Sequence, residues 1–394
     1  MRSRLISILM VVSILGTPLV GCTKSQENQT IEVENSVNTL HEDDTTDHAD
    51  GTAEPVQPSQ EISEPHPYIS ITYGRSNPEM PLGREIVFYT YDLVDEELNE
   101  ICVLPFNAKY ASGVVSLENQ MVYYSSRMDA EDLSSDDCLW AYDLNSGESI
   151  RLEHENFSYN DIAIIDSNTL LVMAVKAGDD HVITPALFDL TTNTFTYLPD
   201  ANGEPLTQYS TGPTPINYNY RTGQFCYVYR DQEEMYLPEY LGMREPIDVQ
   251  ITLVGEDLVK LPEETYTAQW KSTKNIDWLT QVTDNTMLMQ MYTEVIDPEN
   301  PTLDNNETQY YTITFGEENA VLEPAAPPFP DAASVNLMNC QTLDGGKTYY
   351  LKMNRVGDTS GLFSYSTVTG ELQPILLNND AEESHVINFS AVGP

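Results

Sequence analysis

The residues able to do chemistry in this chain are mostly acids, and their spacing selects no reaction. Of 394 residues, 62 are Asp or Glu against 18 Lys or Arg, a formal net charge of −44. With so many carboxylates, some pair falls at glycosidase separation by chance, so abundance names no catalytic couple. Two acidic runs carry the hard oxygens that calcium prefers. Asp129, Glu131, Asp132, Asp136 and Asp137 form one; Asp297, Glu299, Asp304 and Glu307 form the other. Calcium takes about six to eight such ligands, and neither run has the glycine and spacing of an EF-hand. A solvated acidic loop therefore competes with a structural Ca2+ site. His154, His181 and His385 stand alone, and the chain has no HExxH, GxSxG, GxGxxG or phosphate-binding loop. Cys102, Cys138, Cys226 and Cys340 show no CxxC or Cys/His spacing, which argues against zinc and against a disulfide framework. The expectation is a protein that is not an enzyme and needs no cofactor beyond that candidate Ca2+.

One segment is better suited to contact than to catalysis. Arg230–Pro246 mixes acids with Met235, Tyr236, Leu237, Tyr240, Leu241 and Met243. Aromatics and methionine beside charge suit a protein contact. The competing reading folds the same apolar groups back over a central channel.

The elements that would carry this segment come from a repeat. A short aromatic strand runs into a tight turn six times: Val87–Leu93, Leu139–Leu144, Ala186–Leu190, Val249–Leu253, Tyr310–Phe315 and Leu362–Thr367. Their spacing of about 45–60 residues is the period of propeller blades rather than helical solenoids. Each repeat reads as four strands. The second has Gly113–Leu117, Met121–Ser125, Leu139–Leu144 and Glu148–Leu152, with Asn145-Ser146-Gly147 supplying the residues that tolerate positive φ. The third has Ile162–Ile165, Thr169–Val175, Ala186–Leu190 and Thr194–Leu198. The fourth to sixth repeats span Ile216–Pro262, Trp278–Glu323 and Val335–Leu377. Asp92, Asp143 and Asp189 end the third strand of their repeats, where a carboxylate caps the next turn. The first repeat lacks a first strand, and Val386–Val392 fits that pattern with nothing after it. Pairing the two closes the ring and leaves no open sheet edge. In such a ring all connections between second and third strands emerge on one face, so the long insertions, Arg230–Pro246 among them, share it.

The ends of the chain address its location. Arg2 and Arg4 precede an apolar run, Leu5–Leu15, which is short against the ~20 residues of a spanning helix. Leu19-Val20-Gly21-Cys22 follows and resembles the bacterial lipobox, in which the cysteine is acylated on sulfur and becomes the first residue after cleavage. That resemblance implies a signal peptide over residues 1–21 and a lipid on Cys22. From residue 22 to 67 acids outnumber a single Lys, and Pro55, Pro58, Pro65 and Pro67 close the stretch. Such a segment buries too little apolar surface to offset its ordering entropy and reads as a disordered tether. His41, His48 and His66 within it read as solvated.

The segment Thr342-Leu-Asp-Gly-Gly-Lys-Thr-Tyr349 refines the picture. It resembles the strand–Asp-Gly-turn–strand unit of TolB-like propellers, and Ser167-Asn168, Arg221-Thr222-Gly223 and Asp284-Asn285 hold the same turn elsewhere. The string also resembles the Asp box of sialidase propellers, but that motif lies between third and fourth strands, so position favours the first likeness.

The sequence thus predicts an all-β chain. A signal peptide (1–21) and a disordered tether (22–67) precede a six-bladed β-propeller (68–394) whose C-terminal strand pairs with the N-terminal blade. Its expected role is a non-enzymatic, outward-facing module of the cell envelope. It would be monomeric, held to the membrane by lipid alone, and would bind an envelope protein or extracellular ligand, a cationic one included, through the strand 2–3 loop face. The alternative is a carbohydrate-active propeller that binds or hydrolyses glycans with carboxylates in its central funnel. Nucleic acid is excluded, because binding it needs clustered Lys and Arg.

Overall fold

Short aromatic and β-branched runs divided by Asn, Asp and Gly turns fold into meanders, and the described residues form six of them. The computed structural model describes residues 65–394 apart from positions 81, 129–133, 154–155, 177–181, 200–203, 207, 210–215, 231–246, 256–257, 259–265, 273, 294–306, 317–319, 333–334 and 356–358. The proposed signal peptide, Cys22 and most of the tether lie outside the described residues. So do Asp129, Glu131, Asp132, Asp297, Glu299, Asp304, His154, His181 and Met235, Tyr236, Leu237, Tyr240, Leu241 and Met243.

The first blade contains β1 (Tyr68–Ser76), β2 (Arg84–Asp92) and β3 (Leu98–Pro105), and the second β4 (Gly113–Ser116), β5 (Met121–Arg127), β6 (Asp137–Asp143) and β7 (Ser149–Arg151). The third has β8 (Asn156–Asp166), β9 (Thr169–Lys176), β10 (Val182–Asp189) and β11 (Thr194–Tyr197), with β12 (Gln208–Tyr209) pairing beside β10. The fourth has β13 (Asn217–Asn219), β14 (Gln224–Arg230), β15 (Ile247–Val254) and β16 (Tyr266–Ser272). The fifth has β17 (Asn275–Thr283), β18 (Thr286–Thr293), β19 (Glu307–Phe315) and β20 (Ala320–Pro324). The sixth has β21 (Val335–Thr342), β22 (Thr348–Arg355), β23 (Ser360–Ser366) and β24 (Leu372–Leu377). The last strand, β25 (His385–Val392), lies antiparallel to β1, from Tyr68 opposite Val392 to Gly74 opposite His385. The first sheet therefore runs β25-β1-β2-β3, with the end of the chain as its innermost strand.

Blade packing follows the ring. Phe88 meets Val115 and Val122 between blades one and two, and Tyr159, Leu170 and Phe188 meet Val114 and Leu139 between two and three. Ile216 and Phe225 pack on Met173, Met289 on Ile251, and Trp278 on Leu351 around the next three seams. Ile71, Val87 and Phe389 pack on Leu362 and Tyr350 at the seam between blades six and one. Gly113 opens β4 where no side chain fits: an added Cβ would lie 2.6 Å from the Phe88 ring and 2.9 Å from the Tyr123 carbonyl oxygen.

The turns behave as their residues dictate. Asp92, Asp143 and Asp189 each accept hydrogen bonds from the backbone N–H groups two and three residues on, at 2.7–3.2 Å. The first of these carboxylates also takes His66, whose Nδ1 lies 3.0 Å from it and 3.5 Å from Asp95. Asp344 accepts from the N–H groups of Lys347 and Thr348, while Gly345 and Gly346 take φ of 75° and 80°. This turn joins β21 to β22, the first and second strands of its blade.

One repeat differs from the sequence reading. The fourth blade does not end at Pro262; its outer strand is β16, which pairs Leu253 with Tyr266 and Val249 with Trp270. The run after Gly255 looks like the return strand of a tight hairpin, but Pro262 lacks the N–H a ladder needs, and the β-branched and aromatic residues come after it. The four cysteines from Cys102 onward are free. Burial raises the thiol of Cys138 to about 11 and that of Cys102 to about 12.

Candidate functional site

The innermost strand of each blade runs from one mouth of the ring to the other, so one of its ends always faces the connections between second and third strands. At that end, four innermost strands carry an extra residue that lines one cavity, and β8 has a second, Phe157, nearer its start. Against their neighbours, β25 skips Ile387, β8 skips Asn160, β17 skips Asp277 and β21 skips Met338. A β-bulge of this kind bends its strand and re-aims a side chain. All four extra residues line one cavity of 440 Å³ at the mouth where the long connections emerge.

The residue after each bulge does the tying. Asp161 is 2% exposed and accepts hydrogen bonds from the Ile216 N–H in blade four (2.6 Å), the Asn388 amide in blade one (2.5 Å) and the Ile162 N–H (2.9 Å). Asn339 accepts from the Cys340 N–H at 2.8 Å, and the Trp278 indole donates to the Leu337 carbonyl at 3.1 Å. The bonds to Asp161 from Ile216 and Asn388, and from Trp278 to Leu337, cross between blades and fix the floor of the funnel. Burial raises the Asp161 carboxyl to about 7 against the pull of its three donors and nearby Lys352.

Above that floor the funnel is basic. Lys352, on β22, sits in register with Asn339 and donates to the Ile387 carbonyl. Burial lowers its ammonium to about 8, opposed by the charge of Asp161. His385 opens β25; burial, then Lys352 and Arg84, push its ring below the usual imidazole range. Arg84 lies over the Phe106 ring at 5.7 Å, within cation–π reach. Arg75 pairs with buried Glu85, which also accepts from the Asn77 amide at 2.5 Å.

Lys109 and Tyr110 reach the cavity from the connection between blades one and two, and buried Asp137 positions them. Its carboxylate accepts the Lys109 N–H at 2.9 and 3.0 Å, the Tyr110 N–H at 3.4 Å and the Ser125 hydroxyl at 3.2 Å. Asp136 accepts from the Lys109 ammonium at 2.7 Å. Two of the acids read from sequence as candidate calcium ligands thus anchor a segment of the funnel wall. The funnel's own acids are also engaged: Asp277 accepts from the Gln290 amide at 2.7 Å, and Glu383 from the Ser76 hydroxyl at 2.7 Å.

The opposite mouth holds a second cavity, bordered by Pro65, His66, Asp92 and the chain's end at Pro394. His66, Asp92 and Asp95 bring three candidate ligand atoms together there, already bonded to one another and to the Asp92 turn.

No family model matches the chain, and no curated protein matches its sequence. Among solved structures it is similar to TolB-like six-bladed propellers. TolB from Acinetobacter baumannii is 12% identical over 81% of this chain and 66% of its own, with a TM-score of 0.40. The β-propeller domain of the trilobed protease from Pyrococcus furiosus, described with an open velcro topology, is 13% identical over 78% and 83%, TM-score 0.42. An oligogalacturonate lyase in complex with manganese is 12% identical over 65%, TM-score 0.41; the chain spans 62% of that lyase. These are likenesses of architecture, and the reading of the funnel rests on this chain's own residues.

Sequence inspection missed the funnel. Its basic residues are spread from Arg75 to His385, and His385 read as isolated. A signal was present nonetheless: Asp161, Asn339 and Asn388 each stand in a first strand directly before an apolar residue, Ile162, Cys340 and Phe389, all three buried.

Proposed function

We propose that this chain is a lipid-anchored, outward-facing binding protein of the cell envelope that acts without catalysis. It would recognise its partner at the mouth where the funnel and the strand 2–3 connections coincide. The observation that carries the reading is the set of four bulges at one level of the ring, which turn four side chains into one cavity. Rigid scaffolds with loops gathered around a concavity are where binding sites occur. Among the described residues no helix is long and apolar enough to cross a membrane, and anchoring in this proposal falls to Cys22. The carbohydrate-cleaving alternative gains nothing from the funnel's acids, each of which is held by protein donors.

Two measurements test the proposal. Mass spectrometry of the mature protein should find Cys22 as its first residue, carrying a thioether-linked diacylglycerol; a mature N-terminus elsewhere contradicts the anchor. Deleting Glu233–Arg244, in the connection between β14 and β15, should abolish partner capture in whole-cell cross-linking while leaving the melting temperature in place. Unchanged cross-links would remove that connection from the recognition face, and release of reducing sugar from glycans would replace binding with turnover.

A further inference from the structure

Basic residues, scarce in this chain, gather in the funnel, where Asp277 and Glu383 are the lining acids. Of only 18 Lys and Arg in a molecule of net charge −44, four line this one cavity, with His385 beside them. Two are matched by carboxylates, Arg75 by Glu85 and Lys109 by Asp136. Among the described residues, Lys352 and Arg84 have no salt bridge: the ammonium rests on the Ile387 carbonyl and the guanidinium on the Phe106 ring. An ammonium so placed, hydrogen-bonded to a carbonyl and with Asp161 acting on it only through space, is costly unless something else completes it.

An independent observation points the same way. Asn339 is 2% exposed, lines the cavity, and its Nδ2 has no hydrogen-bond partner. The amide cannot simply turn over, because its oxygen already accepts the Cys340 N–H, and rotation would set N–H against N–H. Leaving a buried amide donor unmet is costly, so native folds place few of them without a use. This donor and the Lys352 ammonium come from residues directly opposite each other on β21 and β22, a cross-strand pair on one face of the sheet.

We infer that the funnel receives a small organic anion, with its carboxylate or phosphate group seated between Lys352 and the Asn339 amide and Arg84 facing it from the rim. The inference deepens the binding reading given above by naming the ligand's chemistry. The apolar side chains of Met338, Ile387 and Phe106 lie beside the charged groups and would cover the body of such a ligand. Low-dielectric walls strengthen the attraction, and the acidic exterior repels anions elsewhere, so the funnel is where an anion would settle.

The test is calorimetric titration of the detergent-solubilised full chain with three anionic probes, glucuronate, succinate and inorganic phosphate, and with glucose as the neutral match to glucuronate. At least one anion should bind at one site per chain, at least 10-fold more tightly than glucose, and weaken as salt rises. Carboxylate and phosphate arms identify which head group the site prefers. Lys352→Met should lower affinity at least 10-fold. Asn339→Asp keeps the acceptor toward Cys340 but replaces the donor with a negative charge, and should abolish binding. Lys347→Met, on the turn at the opposite mouth, should change nothing. Equal binding of glucose, no saturable binding of any anion, or binding that survives both funnel substitutions overturns the inference. Should only the anions fail while deletion of Glu233–Arg244 still abolishes partner capture, the recognition module stands and its ligand class does not.

Discussion

A chain ending at Glu383 will not melt as a cooperative unit. Removing β25 takes away the innermost strand of the first blade and with it Val386, Phe389, Ala391 and Val392, all buried. Burying a Val or Phe side chain contributes about 1.5–3 kcal/mol, and a typical domain has only about 5–15 kcal/mol in total. The loss also strips β1 of its ladder partner and exposes a flat, apolar edge, the form most prone to aggregate. Tyr73, whose hydroxyl bonds Ser384 at 2.8 Å and the Leu377 carbonyl at 3.0 Å, loses the first of these partners. Differential scanning calorimetry should show no transition, or a broad one far below that of the full chain. Phe389→Ala, a gentler version, should cost about 3–5 kcal/mol. A truncated chain melting within a few degrees of the full one would mean that β25 does not hold the ring together.

Asp161 should prove the most sensitive single polar residue. Asp161→Ala leaves the Ile216 N–H and the Asn388 amide buried without their acceptor, at about 1–3 kcal/mol for each. Its pH dependence has a definite sign. The folded carboxyl titrates at about 7, above the ordinary 3.8, so the folded state holds a proton that the unfolded state has released. That contribution is complete below about pH 4 and is lost as pH rises through about 7, an effect on the order of 4 kcal/mol. Lys352 acts in the other direction: lowered to about 8, it adds stability as pH climbs from there toward 10.5. Urea unfolding across pH 4.5–8 should therefore show the difference between wild type and Asp161→Asn growing less favourable to wild type as pH rises. A difference that stays flat over that window would show that the carboxyl titrates normally and that the funnel floor is wetter than described.

What could be read from the sequence was what repeats. The six aromatic runs became the third strands of their blades, β2, β6, β10, β15, β19 and β23, because alternation and turn chemistry are local properties. Val386–Val392 stood out as a first strand without a blade, and in the structure it lies against β1. The funnel could not be read in the same way. A bulge depends on register with a neighbouring strand, so nothing at Asn160 or Met338 alone announces that it is the extra residue. The formal charge was no guide either: a sum of −44 over the chain does not say where the basic residues fall, and four of them, Arg75, Arg84, Lys109 and Lys352, line the 440 Å³ cavity. Asp137 shows the limit most plainly. In the sequence it stood in an acidic run that read as a solvated loop or a candidate calcium site, and nothing local told that its carboxylate accepts from the Lys109 and Tyr110 N–H groups and the Ser125 hydroxyl.

The central claim is that the funnel is an open, cationic recognition site, and lysine reactivity tests it most directly. At pH 8 an ammonium lowered to about 8 is half deprotonated, whereas an ordinary lysine is well under about 1% free amine. Brief treatment of the native full chain with trinitrobenzenesulfonate, itself an anion, followed by peptide mass spectrometry, ranks the lysines. The account predicts that Lys352 is labelled ahead of exposed Lys347 and Lys271 and is protected by saturating glucuronate or phosphate. Labelling led by those surface lysines, with Lys352 inert or indifferent to added anion, would contradict it.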